Sequence, residues 1–201
     1  MTLIAVHARA STATVSRVAD VTDLVFRRAL RHDADDIAAL HADSWRRHYR
    51  GAYSDSFLDG DVENDRRAVW RRRLDDITRE TATVVATDDE SLVGFVHVAF
   101  DDDPRWGALI DNLHVRYAQA RTGVGTRLMT EAAAAVRNRP RPSGIYLWVL
   151  EQNRAGQAFY DALGGRCVDQ ALVAPPGGDP SRLHGTPVKL RYVWDTPELS
   201  R

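Results

Sequence analysis

The order in which strand-like and helix-like patterns follow one another constrains this chain more than any other feature. Leu24–Ala29 reads as a strand. A helix follows, with Asp33 placed to cap it, Asp36 in its first turn, and Ile37, Leu40, His41, Ser44 and Trp45 recurring at helical spacing. Arg50-Gly51-Ala52-Tyr53 breaks that pattern. A second helical region spans Ser54–Leu74, open to interruption at Gly60, with Val62, Arg66, Val69, Trp70 and Leu74 on one face. Thr83–Thr87 and Leu92–Phe100 read as a hairpin about the polar turn Asp88-Asp89-Glu90, and Asp101-Asp102-Asp103-Pro104 reads as a loop. Ala108–Val115 is the next strand. Gly123–Val136 is a helix with Val124, Leu128, Ala132 and Val136 on one face, stopped by Pro140 and Pro142. The near-continuous apolar run Ile145–Leu150 predicts a strand buried on both faces. Asn153–Leu163 is a helix with Ala155, Ala158, Phe159 and Ala162 inward and Gly164 ending it. Strands over Arg166–Val173 and Val188–Trp194 close the chain, joined by a long loop that includes residues 175–180.

Runs of adjacent strands favour antiparallel pairing, and the last two strand–helix units favour a local parallel or mixed arrangement. The expected class is therefore α/β (α+β), with one mixed sheet and helices. A chain of 201 residues suits one domain with a full core. The expected division is an N-terminal leader over 1–23, poorly ordered, and a single domain over 24–201. The leader is rich in Ala, Ser, Thr and Val with Arg9 and Arg17, and so resembles a transit peptide as well as an early start.

Charge excludes little but points nowhere: 27 basic against 28 acidic residues favour neither nucleic acid nor an anionic membrane. No apolar run approaches the ~20 residues that span a bilayer. Cys167 is the only cysteine, which excludes an intramolecular disulfide and a cysteine-rich metal site, and it reads as a plain buried or half-buried thiol. The absence of a disulfide framework fits a reducing cytoplasm. Arg71-Arg72-Arg73 reads as a solvated helix face, and Asp101-Asp102-Asp103 as a solvated turn rather than a cation site.

The stretch from Ile110 to Val115, a loop, and then Arg121-Thr122-Gly123-Val124-Gly125-Thr126 carries the chemistry. Free N–H groups and the positive end of a helix dipole attract phosphate. Gly123 and Gly125 let the backbone approach an anion, and Arg121 can add a charge-assisted bond. Taken alone, the segment is equally a tight turn. It is neither a P-loop nor a dinucleotide fingerprint.

Downstream lie Leu147-Trp148-Val149-Leu150, Asn153, Ala158-Phe159-Tyr160 and Leu163-Gly164-Gly165. With the Gly123–Gly125 turn in this order, the chain resembles the GNAT superfamily of acyl-CoA-dependent N-acetyltransferases over roughly residues 24–194. Two positions depart from its pattern: Ala120 stands where Gln or Arg is usual, flanked by Gln119 and Arg121, and Gly165 stands where Phe is common. The resemblance implies a three-layer fold, with a mostly antiparallel twisted sheet of about seven strands splayed between the fourth and the fifth. It implies acetyl-CoA as cosubstrate, held by Leu113, Val115, Ala120, Arg121, Thr122, Gly123, Val124, Gly125, Thr126, Asn153, Phe159 and Tyr160. The Leu113 N–H would stabilise the oxyanion, and Tyr160 would protonate the leaving thiolate. Tyr160 reads otherwise as a core aromatic.

Leu109 occupies the place where many such proteins carry a glutamate base. Asp111 and His114 are the nearby candidates, expected on opposite faces of the strand; a water chain or a neutral substrate serves equally. Trp45, Tyr49, Tyr53, Asn112 and Trp148 can line an acceptor pocket, or pack helices onto the sheet. The acceptor is expected to be a small-molecule or peptide amine, and the chain a monomer or homodimer without metal, nucleic acid or membrane partners. The alternative is a non-catalytic acyl-CoA sensor.

Overall fold

The computed structural model describes residues 21–75, 80–89 and 91–200. Residues 1–20 of the expected leader and Glu90 of the expected turn lie outside the described residues, and Val21–Asp23 form a short 3-10 turn. One seven-stranded sheet organises the rest, in the order β1-β2-β3-β4-β5-β7-β6. Its strands are β1 (Val25–Arg28), β2 (Thr81–Thr87), β3 (Leu92–Asp103), β4 (Gly107–Val115), β5 (Ile145–Leu150), β6 (Arg166–Leu172) and β7 (Val188–Trp194). The helices are α1 (Ala34–His48), α2 (Asp55–Asp59), α3 (Val62–Asp75), α4 (Val124–Arg137) and α5 (Arg154–Ala162). Every strand pair is antiparallel except β4–β5, which is parallel. This is the mixed, three-layer α/β architecture expected. No described helix is long and apolar enough to cross a membrane.

Helical periodicity explains two of the layers. On α4, Val124, Leu128, Ala132 and Val136 are buried in the main core with Val96, Ile110 and Leu147. On the other face, Ile37 and Leu40 of α1 and Trp70 and Leu74 of α3 pack on Val85 and Phe95. Gly60 separates α2 from α3, where the sequence left room for a break.

Several expectations need correction. Asp33 does not cap α1 with its side chain. Its carboxylate accepts the Arg27 guanidinium at 2.7 and 2.8 Å and the Leu30 N–H at 2.7 Å, so it ties β1 to the helix instead. Asp101-Asp102-Asp103 belongs to β3, because that strand and β4 run on to a hairpin at which Asp103 pairs with Gly107. Arg71 bonds Asp35 and Arg72 is exposed, but Arg73 turns inward to Asp111. Cys167 is exposed, since β6 is an edge strand. On α5, Ala155, Ala158 and Ala162 are exposed; Gln157 is the buried residue, and Phe159 and Tyr160 pack partly buried against the core.

Candidate active site

Strands β4 and β5 pair only through Ala108–Ile145, Leu109–Tyr146 and Ile110–Leu147. Beyond these, β4 keeps only β3 and β5 keeps only β7, and the two part. A cavity of 510 Å³ fills the gap, a size suited to a small-molecule ligand. Its walls come from both layers. Gly123, Gly125, Asn153, Gly156, Phe159 and Tyr160 line it on the α4–α5 side; Ser44, His48 and Tyr49 line it from the end of α1. The opening therefore runs through the sheet.

At one end lies the start of α4. Arg121 and Gly123 both have positive φ, at 65° and 91°, and Gly123 is the residue that begins the helix. A Cβ on Gly123 would find only Val21 Cγ1, at 3.9 Å, so it is the backbone conformation that requires glycine. A Cβ on Gly125 would reach Phe159 Cζ at 3.4 Å, which places the helix start directly against α5. The Thr122 hydroxyl donates to the Gln119 carbonyl at 2.8 Å and pins the turn. Ala120, Gln119 and Arg121 all line the cavity, so both residues that flank Ala120 border the same space. Thr122 and Val124 do not line it. Val124 is fully buried in the core.

Asn153 begins α5, and its side-chain oxygen accepts the Gly156 N–H at 3.0 Å. The Tyr160 ring packs against Phe159, Tyr192 and Trp194. Burial, and then the nearby Tyr49 hydroxyl, push its phenol well above the ordinary value, so it stays protonated.

At the other end, a β-bulge decides the chemistry. The β3–β4 register passes from His97–Asn112 to Val98–Ile110, which leaves Asp111 as an extra residue. Alternation shifts across it: Ala108 and Ile110 face the α4 core before it, and Leu113 and Val115 after it. Asp111 and His114 thus share the α1–α3 face, which corrects the expectation that they oppose one another. Asp111 Oδ2 accepts from Arg73 at 2.7 Å and from Asn112 at 2.7 Å. The His114 ring bonds Ser44 Oγ through Nδ1 at 2.7 Å and lies 4.5 Å from the His41 ring. Burial lowers the His114 pKa to about 3, so the imidazole is neutral and a weak proton acceptor at neutral pH. His41 Nδ1 accepts the Trp70 indole N–H at 3.0 Å, which assigns its own proton to Nε2.

Of the aromatic residues expected to meet an acceptor, Tyr49 and Trp148 line the cavity, as does Asn112. Trp45 and Tyr53 do not. Both are buried with Phe57 and Leu58, and the Arg66 guanidinium covers the Trp45 ring at 4.3 Å. Trp148 is not a bare wall either: Lys189 and Arg191 lie over its ring at 4.4 and 4.5 Å. The sequence put Ser44 on the recurring stripe of the first helix and Arg73 on a solvated helix face, and gave His48 no role. Ser44 and His48 are four apart on α1, and a polar residue on an otherwise apolar helical face was the available signal. Asp111 also borders a second cavity of 410 Å³ with Arg72, Arg73, His97 and Leu109. No group of side chains able to hold a metal ion occurs among the described residues.

The Acetyltransferase (GNAT) family model matches residues 39–164. Among solved structures, PaiA N-acetyltransferase from Thermoplasma acidophilum, in complex with coenzyme A, is similar at TM-score 0.64 and 19% identity, covering 85% of this chain and 99% of that one. Arabidopsis thaliana NAA60, in complex with a bisubstrate analogue, aligns at TM-score 0.59 and 19% identity, over 85% and 97%. An acetyltransferase of the GNAT family from Streptococcus pneumoniae aligns at 0.60 and 16%, over 88% and 99%. At these identities the likeness speaks for the fold. No curated protein matches the chain in sequence.

Proposed function

The chain belongs to the GNAT acetyltransferase family, and from that premise we propose that it transfers an acetyl group from acetyl-CoA to a primary amine of a small molecule or peptide. Transfer is by direct attack in a ternary complex. The observation that carries this reading is the opening between β4 and β5, with a helix start on one side and a polar mouth on the other.

Each end suits one substrate. The N–H groups at the start of α4, with Arg121, suit a pyrophosphate. Leu113 and Val115 stand where β4 has lost β5 as partner, which suits their backbone to a pantetheine arm running past Asn153 and Phe159. The Leu113 N–H is assigned the oxyanion. Tyr160 donates its proton to the leaving thiolate; in a dry cavity the thiolate is itself a stronger base than in water, which offsets the raised phenol pKa. On the other side, Asp111 attracts an ammonium group, and Tyr49, Asn112 and Trp148 flank it. Asp111 already carries two donors and His114 holds protons weakly, so the amine loses its proton to water at the mouth. No enzyme nucleophile is needed, and exposed Cys167 stands apart on β6. We place the reaction in a reducing compartment such as the cytoplasm.

Calorimetric titration with acetyl-CoA and free CoA tests the cofactor half, and thiol release with a panel of amines tests transfer. Binding of both in roughly the micromolar range, with thiol release for some amines, is the expected result. Failure to bind either would sink the reading. Binding without release for any amine would leave an acyl-CoA sensor in its place.

A further inference from the structure

Lys189 is the only lysine in the chain, so its side chain is the sole primary amine besides the N-terminus. It stands in β7 opposite Leu150 of β5, and Leu150 lines the cavity. Its Nζ lies 4.4 Å from the centre of the Trp148 ring, and Trp148 is itself part of the wall. The amine is therefore one strand from the gap, on the side assigned to the acceptor.

Little holds it there. Asp111 is engaged by Arg73 at 2.7 Å, and Asp103 and Asp169 lie 3.8 Å from Arg191. The Lys189 amine makes a ring contact and shares that indole with Arg191. Burial, and then Arg191, lower its pKa against the opposing charge of Asp111, and the lower value enlarges the neutral fraction that can attack a carbonyl. A flexible four-carbon stem lets Nζ swing several ångströms away from the ring without moving the strand.

We propose that Lys189 is a self-acetylation site, modified by the acetyl-transfer centre of its own chain. The inference rests on the function proposed above. The Nζ lone pair attacks the thioester carbonyl carbon, the C–S bond breaks, and the nitrogen gives up a proton as the thiolate takes one. The products are N-acetyl-lysine and free CoA, with no oxidant or further reactant. Acetylation turns a cation on the acceptor wall into a neutral amide and withdraws one positive charge from beside Trp148.

The test incubates full-length protein with acetyl-CoA and no added amine, followed by peptide-resolved mass spectrometry, with calorimetry and the amine panel in parallel. The expected result is one acetyl group on Lys189, added at least about tenfold faster than in urea-unfolded chain, and about tenfold slower in Tyr160→Phe. Lys189→Arg should abolish the gain everywhere except the N-terminus. No gain at Lys189, or a gain no faster than in unfolded chain, would overturn the proposal. If added amines still release thiol in that case, the modification falls alone; if acetyl-CoA does not bind at all, the modification and the transfer reading fall together.

Discussion

Tyr160 and Gly123 are single residues whose roles rest on different physics. Tyr160 is held by three aromatic neighbours and kept protonated by burial. Replacing its hydroxyl leaves that packing in place, so Tyr160→Phe should lower kcat at least about tenfold with CoA affinity nearly unchanged. An unchanged kcat would remove the general-acid role. Gly123 holds φ 91°, where a side chain strains the backbone, so Gly123→Ala should cost about 1–2 kcal/mol in urea unfolding. Gly125→Ala should cost clearly less, because its Cβ meets Phe159 at an ordinary 3.4 Å. Equal losses would mean that the left-handed backbone conformation does not select glycine at 123. Gly165 is a third case. A Cβ there would meet Trp194 Cζ2 at 2.6 Å, and the Trp194 indole donates to the Leu163 carbonyl at 2.9 Å. The indole fills the space, and this accounts for a glycine where phenylalanine is common.

Between elements, α1, β3 and β4 meet over three buried histidines. His41 stacks beside His114, and His97 bonds Thr83 Oγ1 at 2.8 Å. Burial is the first cause that lowers all three: His97 to about 4, His114 to about 3, and His41 well below 6.5. The unfolded chain accepts these protons near pH 6.5, while the folded one does not. Their contribution to stability is thus full above about pH 6.5 and is lost as pH falls towards about 4, with up to about three protons taken up on unfolding. Carboxylates weigh in mainly below that range. Thermal melts across this window should show a steady fall; a flat melting temperature would mean that the histidines are not neutral and buried. The helices were legible where apolar residues recur, as on α1 and α4. On α5 the alanines misled, because small residues score as apolar whether they face the core or solvent. The bulge at Asp111 had no signature at all, since it arises from how β3 and β4 pair.

For the molecule as a whole, the cavity spans both layers and both halves of the sheet, so occupying it should stabilise everything at once. Acetyl-CoA at about a hundredfold excess over Kd should add about 2.7 kcal/mol. For a chain of this size that raises the melting temperature by roughly 5–10 °C in a thermal-shift assay. No shift with acetyl-CoA or CoA would argue against the site. The order of strands and helices and the helix-opening glycine turn were readable from the sequence, because each depends on local periodicity or local backbone conformation; Tyr160 was singled out by the resemblance to the GNAT superfamily. What the tertiary structure alone decided is the acceptor side. Trp45 and Tyr53 went into the core, Asp111 and His114 came to one face, and Lys189 and Arg191 covered Trp148. The physical reason is range: those outcomes depend on contacts between residues far apart in the chain, set by strand register and by the competition of several aromatic rings for the same buried space.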